Sequence, residues 1–258
     1  MKKKILWINP VTTDLFDQTF KEEYEKVKQT DTIVDVVSLK PAPGPIHLEY
    51  NAYEVMIMPE VLEIIYQAEK DGYDAAIIGC FYDPLIRAAR EISNKIVITA
   101  PAEASLHLAS TLGESISIIV GRDKWIPEMK ENVHKYGCIN KLASFRSVNL
   151  GVTDFQKDHA ETEKRIKQAA REAMEIDGAD VIILGCTMEF GFYDVIQREL
   201  GIPIIDASLA PFKYAEYLVE MKQKFNWGHS KRIGYQSPPD KEIHEWGLFK
   251  QRASLKNN

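Results

Sequence analysis

Short apolar runs rich in β-branched residues alternate along this chain with longer stretches whose apolar positions recur at helical spacing. That is the pattern of parallel β-α-β units. Lys4 to Ile8 reads as a first strand. Phe16, Phe20, Tyr24 and Val27 then predict a helix over Thr12 to Lys28. Ile33 to Leu39 reads as a second strand, followed by an irregular loop at Pro41-Ala42-Pro43-Gly44-Pro45. A helix from Pro59 to Asp71 leads to a buried strand at Ala75-Ala76-Ile77-Ile78. Pro84 to Ile92 predicts the next helix and Lys95 to Thr99 the next strand.

The pattern then repeats. Asp71-Gly72-Tyr73-Asp74-Ala75-Ala76-Ile77-Ile78-Gly79-Cys80 aligns with Asp177-Gly178-Ala179-Asp180-Val181-Ile182-Ile183-Leu184-Gly185-Cys186, with most positions identical and apolar residues paired with apolar. Arg90-Glu91-Ile92 matches Arg198-Glu199-Leu200, and Glu103-Ala104-Ser105-Leu106 matches Asp206-Ala207-Ser208-Leu209. The strand ending at Ile8 has its counterpart in Ser115 to Val120. A unit of about 105 residues is present twice. Two copies predict two similar α/β domains. Ligands of open parallel sheets bind beyond the carboxyl ends of the strands, which is where Gly79-Cys80 and Gly185-Cys186 fall. The expectation is one cysteine from each repeat aimed at a shared pocket.

Asp83-Pro84 reads as an N-cap followed by proline at the first helical position, which sets Cys80 beside a helix N-terminus. Asp194 or Thr187 is placed to begin the matching helix after Cys186. Free amides and the helix dipole favour thiolate over thiol there. A cysteine at the end of an apolar strand is most often a small buried hydrophobe, but both repeats keep Gly-Cys at the same strand end. A metal site fails on ligand count, since no histidine or third cysteine lies at ligand spacing. Cys138 falls outside the repeat and reads as structural. Two opposed groups of similar acidity suit proton exchange at a carbon stereocentre acidified by a carbonyl. The backbone N–H groups of Phe81-Tyr82 and Thr187-Met188 are candidate donors to the developing oxyanion.

With 32 basic and 38 acidic residues well mixed, the net charge of −6 argues against a nucleic-acid-binding surface. No apolar run approaches the roughly 20 residues that span a bilayer, and Asn9-Pro10 cuts the N-terminal run too early for a signal core. Three scattered cysteines are no disulfide framework. These features predict a cytoplasmic protein with no membrane or nucleic-acid partner. His107 and the charged face from Lys21 to Lys28 read as structural and solvated. Glu103 and Asp206 read as orienting groups for the motif loops. Trp227, Tyr235, Trp246 and Phe249 predict that the tail from Trp227 to Asn258 packs on the body or on a neighbouring subunit of a homo-oligomer.

Ile8-Asn9-Pro10-Val11-Thr12-Thr13, Gly44-Pro45 through Glu49, Ile78-Gly79-Cys80-Phe81-Tyr82-Asp83-Pro84, Glu103-Ala104 and Leu184-Gly185-Cys186-Thr187 together resemble the aspartate/glutamate/hydantoin racemase superfamily. The similarity is greatest to its hydantoin branch, which includes allantoin racemases, and covers about residues 4 to 222. Val11 stands where the branch usually has a second Asn, and Tyr82 where Asp is common. Met188-Glu189-Phe190 replaces a small Ala-Gly-Met run, and Gly-Cys-Thr is closer to the amino-acid racemases.

The resemblance implies two pseudo-symmetric Rossmann-like α/β domains with parallel sheets and an active site in the cleft between them. With the repeat, it divides the chain into residues 1–98 with 206–226 and residues 99–205, and the extension over 227–258 lies past the resemblance. It implies racemisation without cofactor or metal by Cys80 and Cys186, with Asn9 and Thr12 binding polar groups of a small-molecule substrate. Phe81, Tyr82, Thr187 and Met188 complete the expected site, and Phe81, Tyr82 and Phe190 suggest an apolar or aromatic substituent. The reaction expected is inversion at C5 of a 5-substituted hydantoin or allantoin. The alternatives are a racemase of an open-chain amino acid such as aspartate or glutamate, and a non-catalytic binding protein.

Overall fold

The computed structural model describes residues 2–40, 43–249 and 255. Pro41 and Ala42 of the expected proline-rich loop, and residues 250–254 and 256–258 of the tail, lie outside the described residues. In chain order the first set of elements is β1 (Lys3–Asn9), α1 (Asp17–Val27), β2 (Thr32–Ser38), α2 (Asn51–Lys70), β3 (Ala75–Ile78), α3 (Ile86–Ile92) and β4 (Val97–Thr99). The second set is α4 (Pro101–Leu112), β5 (Ile116–Val120), α5 (Ile126–Lys135), β6 (Leu142–Ser147), α6 (His159–Glu175), β7 (Val181–Leu184), α7 (Tyr193–Leu200) and β8 (Ile204–Asp206). Helices α8 (Leu209–Phe225) and α9 (Asp240–Glu245) follow.

The strands form two four-stranded parallel sheets, ordered β2-β1-β3-β4 and β6-β5-β7-β8. The second sheet reproduces the order of the first, so the internal repeat is a repeat of topology and the α/β, Rossmann-like expectation holds. In each sheet the central pair ends level, with Ile8 beside Ile78 and Ile119 beside Leu184. Cys80 and Cys186 therefore each follow a carboxyl strand end by two residues. Gly72 and Gly178, which turn the chain from the preceding helix into β3 and β7, share a left-handed φ of 77° and 74°.

Two compact units result. One comprises the described residues up to Ile78, Pro84–Thr99 and those from Phe212 onward. The other comprises Gly79–Asp83 and Ala100–Pro211. In the first, Ile5 to Ile8 of the central strand are fully buried. Trp7 packs on Phe20 and Tyr24 of α1, and Tyr24 stacks on Phe212 of α8 with ring centroids 4.7 Å apart. In the second, β5 and β7 are buried along their whole length, and Trp125 packs on Phe155. Each such apolar side chain contributes roughly 1.5–3 kcal/mol on leaving water.

Four element starts differ from the sequence reading by two residues or more, each for a local reason. Helix α1 starts at Asp17 rather than Thr12, because the preceding backbone is already bonded: Thr12 donates to the Pro45 carbonyl, and Leu39 to that of Val11. Helix α2 begins at Asn51 and holds Pro59 in its interior, where the proline had suggested a first turn. Helix α3 begins at Ile86, since Asp83 and Leu85 take left-handed φ values of 48° and 50°. Strand β4 begins at Val97 rather than Lys95, since the amides of Asn94, Lys95 and Ile96 all donate to the Glu69 carboxylate.

The described part of the tail packs on the first unit. His229 Nε2 accepts the Ile98 amide on the exposed side of edge strand β4, and Arg90 donates to Tyr235. Phe249 stacks on Tyr66. Trp227 and Trp246 depart from the expected packing and are two-thirds exposed. No helix among the described residues is long and apolar enough to cross a membrane.

Candidate active site

The loop Gly79–Asp83 is anchored from below by its own aspartate. Both carboxylate oxygens of Asp83 are used. They accept the amides of Ala102 and Glu103 at 2.8 Å each, and the Tyr136 hydroxyl also donates at 2.8 Å. Asp83 thus caps α4, nineteen residues downstream, and not the helix that directly follows it. This corrects the expectation of a helix N-terminus capped beside Cys80. Burial outweighs the three donors and pushes the Asp83 acid up to about 7. Asn132 of α5 donates to the Tyr82 carbonyl at 2.7 Å, which fixes the loop from a second side. Cys80 itself is half-buried, while Phe81 and Tyr82 are buried.

The second cysteine sits at the head of a short 3-10 turn, Thr187–Glu189, with α7 starting only at Tyr193. The turn is closed by a reciprocal pair of bonds. The Glu189 amide is shared between the Cys186 carbonyl, at 3.0 Å, and Cys186 Sγ, and Glu189 Oε2 accepts the Cys186 amide at 3.0 Å. An amide donor aimed at sulfur favours the thiolate. Glu189 is fully buried, and burial, reinforced by the nearby Asp206, holds its acid well above the usual carboxylate range. Asp206 caps α8 through Oδ1, which accepts the Ser208 amide and hydroxyl at 2.7 and 2.6 Å and the Leu209 amide at 3.2 Å. Its acid is also raised by burial, against the opposing pull of those donors.

The two turns meet within the second unit, where the Thr187 hydroxyl donates to the Gly79 carbonyl at 3.5 Å. Met188 is held by Gln156, which donates to its carbonyl at 2.8 Å. Among the described residues, the backbone amides of Phe81, Thr187 and Met188 donate to no group. Cys138 is buried, with its thiol against backbone carbonyls and its acidity lowered by burial.

Asn9 and Thr12 belong to the first unit. Asn9 ends β1 and is clamped, accepting from Trp7 Nε1 at 2.7 Å and donating to Asp17 Oδ1, which also accepts from Ser38. Thr12 donates its hydroxyl proton to the Pro45 carbonyl at 3.1 Å. Sequence reasoning missed Asp17, Asn132 and the inward turn of Glu189. The first two carry no local signal. Glu189 does, because the repeat places it level with Asp83, three residues past each cysteine. Among the described residues no group of three His, Cys, Asp or Glu side chains is arranged to hold a metal ion.

The Asp/Glu/hydantoin racemase family matches residues 5–215. A hydantoin racemase of Pseudomonas sp. (strain NS671) is 33% identical over 239 residues, covering 93% of each chain. One of Paenarthrobacter aurescens is 33% identical over 240 residues, covering 93% of this chain and 99% of its own. The solved structure of an allantoin racemase from Klebsiella pneumoniae matches with a TM-score of 0.85 at 26% identity, over 92% of this chain and 94% of that one. This kinship suggests racemase activity on a small molecule. With a match running from the first strand into α8, over a fold that repeats the same four-stranded sheet twice, the chain belongs to the Asp/Glu/hydantoin racemase family.

Proposed function

We propose that this protein is a cofactor-independent racemase that inverts C5 of 5-substituted hydantoins or allantoin, with Cys80 and Cys186 as the two proton-carrying groups. The observation that carries the reading is the joining of the two cysteine turns by the Thr187–Gly79 hydrogen bond, with an amide donor on Cys186 Sγ. The names of the relatives supply the substrate class.

The C5–H of such a ring lies between a ring carbonyl and a ring nitrogen. One cysteine, as thiolate, takes the proton, and the C–H electron pair moves onto the carbonyl oxygen. The amides of Phe81, Thr187 and Met188 are the donors proposed to hold that enolate oxygen. The other cysteine, as thiol, returns a proton to the opposite face, and the electron pair re-forms the C–H bond. The cysteines finish with their protonation states exchanged, ready for the opposite enantiomer or for reset by solvent. Asn9, oriented by Trp7 and Asp17, keeps a second amide proton for a ring carbonyl, and the Thr12 oxygen accepts from a ring N–H. Phe81, Tyr82 and Met188 are the side chains proposed to receive an apolar substituent.

Polarimetry with single enantiomers tests the substrate class. The expected result is faster loss of rotation with 5-benzylhydantoin, 5-isopropylhydantoin or allantoin than with aspartate or glutamate. Faster racemisation of either free amino acid would move the reading to open-chain substrates.

A further inference from the structure

Asp83 and Glu189 occupy equivalent positions, but their carboxyls are not equivalently used. Asp83 has donors on both oxygens. Glu189 has one, the Cys186 amide on Oε2. Its Oε1 is buried with no hydrogen-bond partner among the described residues. A buried carboxyl with an unpartnered oxygen, set near the second buried carboxyl of Asp206, is relieved by retaining a proton.

We propose that Glu189 is a positioning residue for Cys186, acting as a neutral acid. Through Oε2 it holds the cysteine's amide, and that bond keeps the turn in the shape that directs the Glu189 amide at Sγ. Because the acid is uncharged, no carboxylate opposes the thiolate at the other end of the same turn. Asp206 at the end of β8 is a titratable group that acts on Glu189, and the Cys186 backbone amide opposes it from within the same turn. Ionisation of Glu189 would set a negative charge beside the sulfur and shift thiolate formation to higher pH. The inference rests on the racemase reading only in giving Cys186 a proton to carry; the tether itself does not depend on it.

The test compares Glu189→Gln, which keeps an uncharged acceptor at the same reach, with Glu189→Asp, which keeps the acid but is one methylene too short. Iodoacetamide labelling of Cys186 in the full-length protein, read by mass spectrometry across pH 6–10, reports its thiolate directly. The Gln variant is expected to label within about twofold of wild type at pH 7 and to reach its plateau at no higher pH. The Asp variant is expected to label at least about tenfold more slowly at pH 7. In turnover, kcat should follow the labelling rates while KM stays within about threefold. Equal labelling of both variants, or a wild-type rate in the Asp variant alone, would overturn the proposal. If the labelling pattern holds while no protein form racemises any substrate, the racemase reading fails and the positioning role stands.

Discussion

At Asp83 three hydrogen-bond donors favour the carboxylate and complete burial opposes it, and burial prevails, with the acid pushed up to about 7 from 3.8. The folded chain therefore holds this proton more tightly than the unfolded chain. The resulting stabilisation is fully present below about pH 4 and is lost as pH rises through about 7. Asp83→Asn removes that dependence. Urea unfolding should show the stability of wild type relative to the variant falling by an amount on the order of 4 kcal/mol between pH 4 and 8. A difference that does not change with pH would show that the folded chain does not retain the proton. Asp followed by Pro announces a cap, and Asp83 is one. Nothing local says that the helix it caps lies nineteen residues away, because Leu85 in a left-handed conformation delays the helix that follows. The buried role of Glu189 is legible from the repeat register once Asp83 is understood. That of Asn132 is not, since its partners are backbone carbonyls fifty residues upstream.

The central strands are the most legible elements, because strands of a parallel sheet covered on both faces read as unbroken apolar runs. Strands β3 and β7 follow Ala75–Ile78 and Val181–Leu184 directly. Helix starts are less legible. Pro59 looks like a first turn, yet α2 runs for two turns before it, and hydrogen bonds to Pro45 and Leu39 keep the chain ahead of α1 from coiling. The turn into the second cysteine depends on close packing. A Cβ on Gly185 would stand 2.6 Å from the Ile119 carbonyl and 2.8 Å from Ile118 Cγ2, both in β5. The carbonyl cannot retreat, since it accepts the Gly185 amide at 2.8 Å. Gly185→Ala should therefore cost about 1–3 kcal/mol by overpacking and lower the activity of the folded fraction by displacing Cys186. Gly72→Ala meets nothing within 4 Å. It should cost about 1–2 kcal/mol of backbone strain alone and leave activity intact. Equal activities in the two folded variants would contradict the role given to the Gly185 contact.

Over the whole molecule, the duplication seen in sequence accounts for two sheets of one topology, each with a Gly-Cys turn at its third strand's end. The tail could be placed only in outline. Its aromatic residues signal packing, and Tyr235 and Phe249 do pack on the first unit, but Trp227 and Trp246 remain exposed. His229, with its pKa lowered to about 3 chiefly by burial, stays neutral and accepts the edge-strand amide of Ile98. No periodicity in the tail foretells that bond. What the duplication means for chemistry is the claim that both cysteines carry protons. The direct measurement is ¹H NMR in D₂O, following the C5 proton of each hydantoin enantiomer with wild type, Cys80→Ser and Cys186→Ser. Wild type should exchange and invert both enantiomers. Each variant should lose inversion by at least about 10²-fold, the usual contribution of one general acid or base, and any residual exchange should be confined to opposite enantiomers in the two variants. Inversion at wild-type rate by either variant would contradict the two-cysteine account.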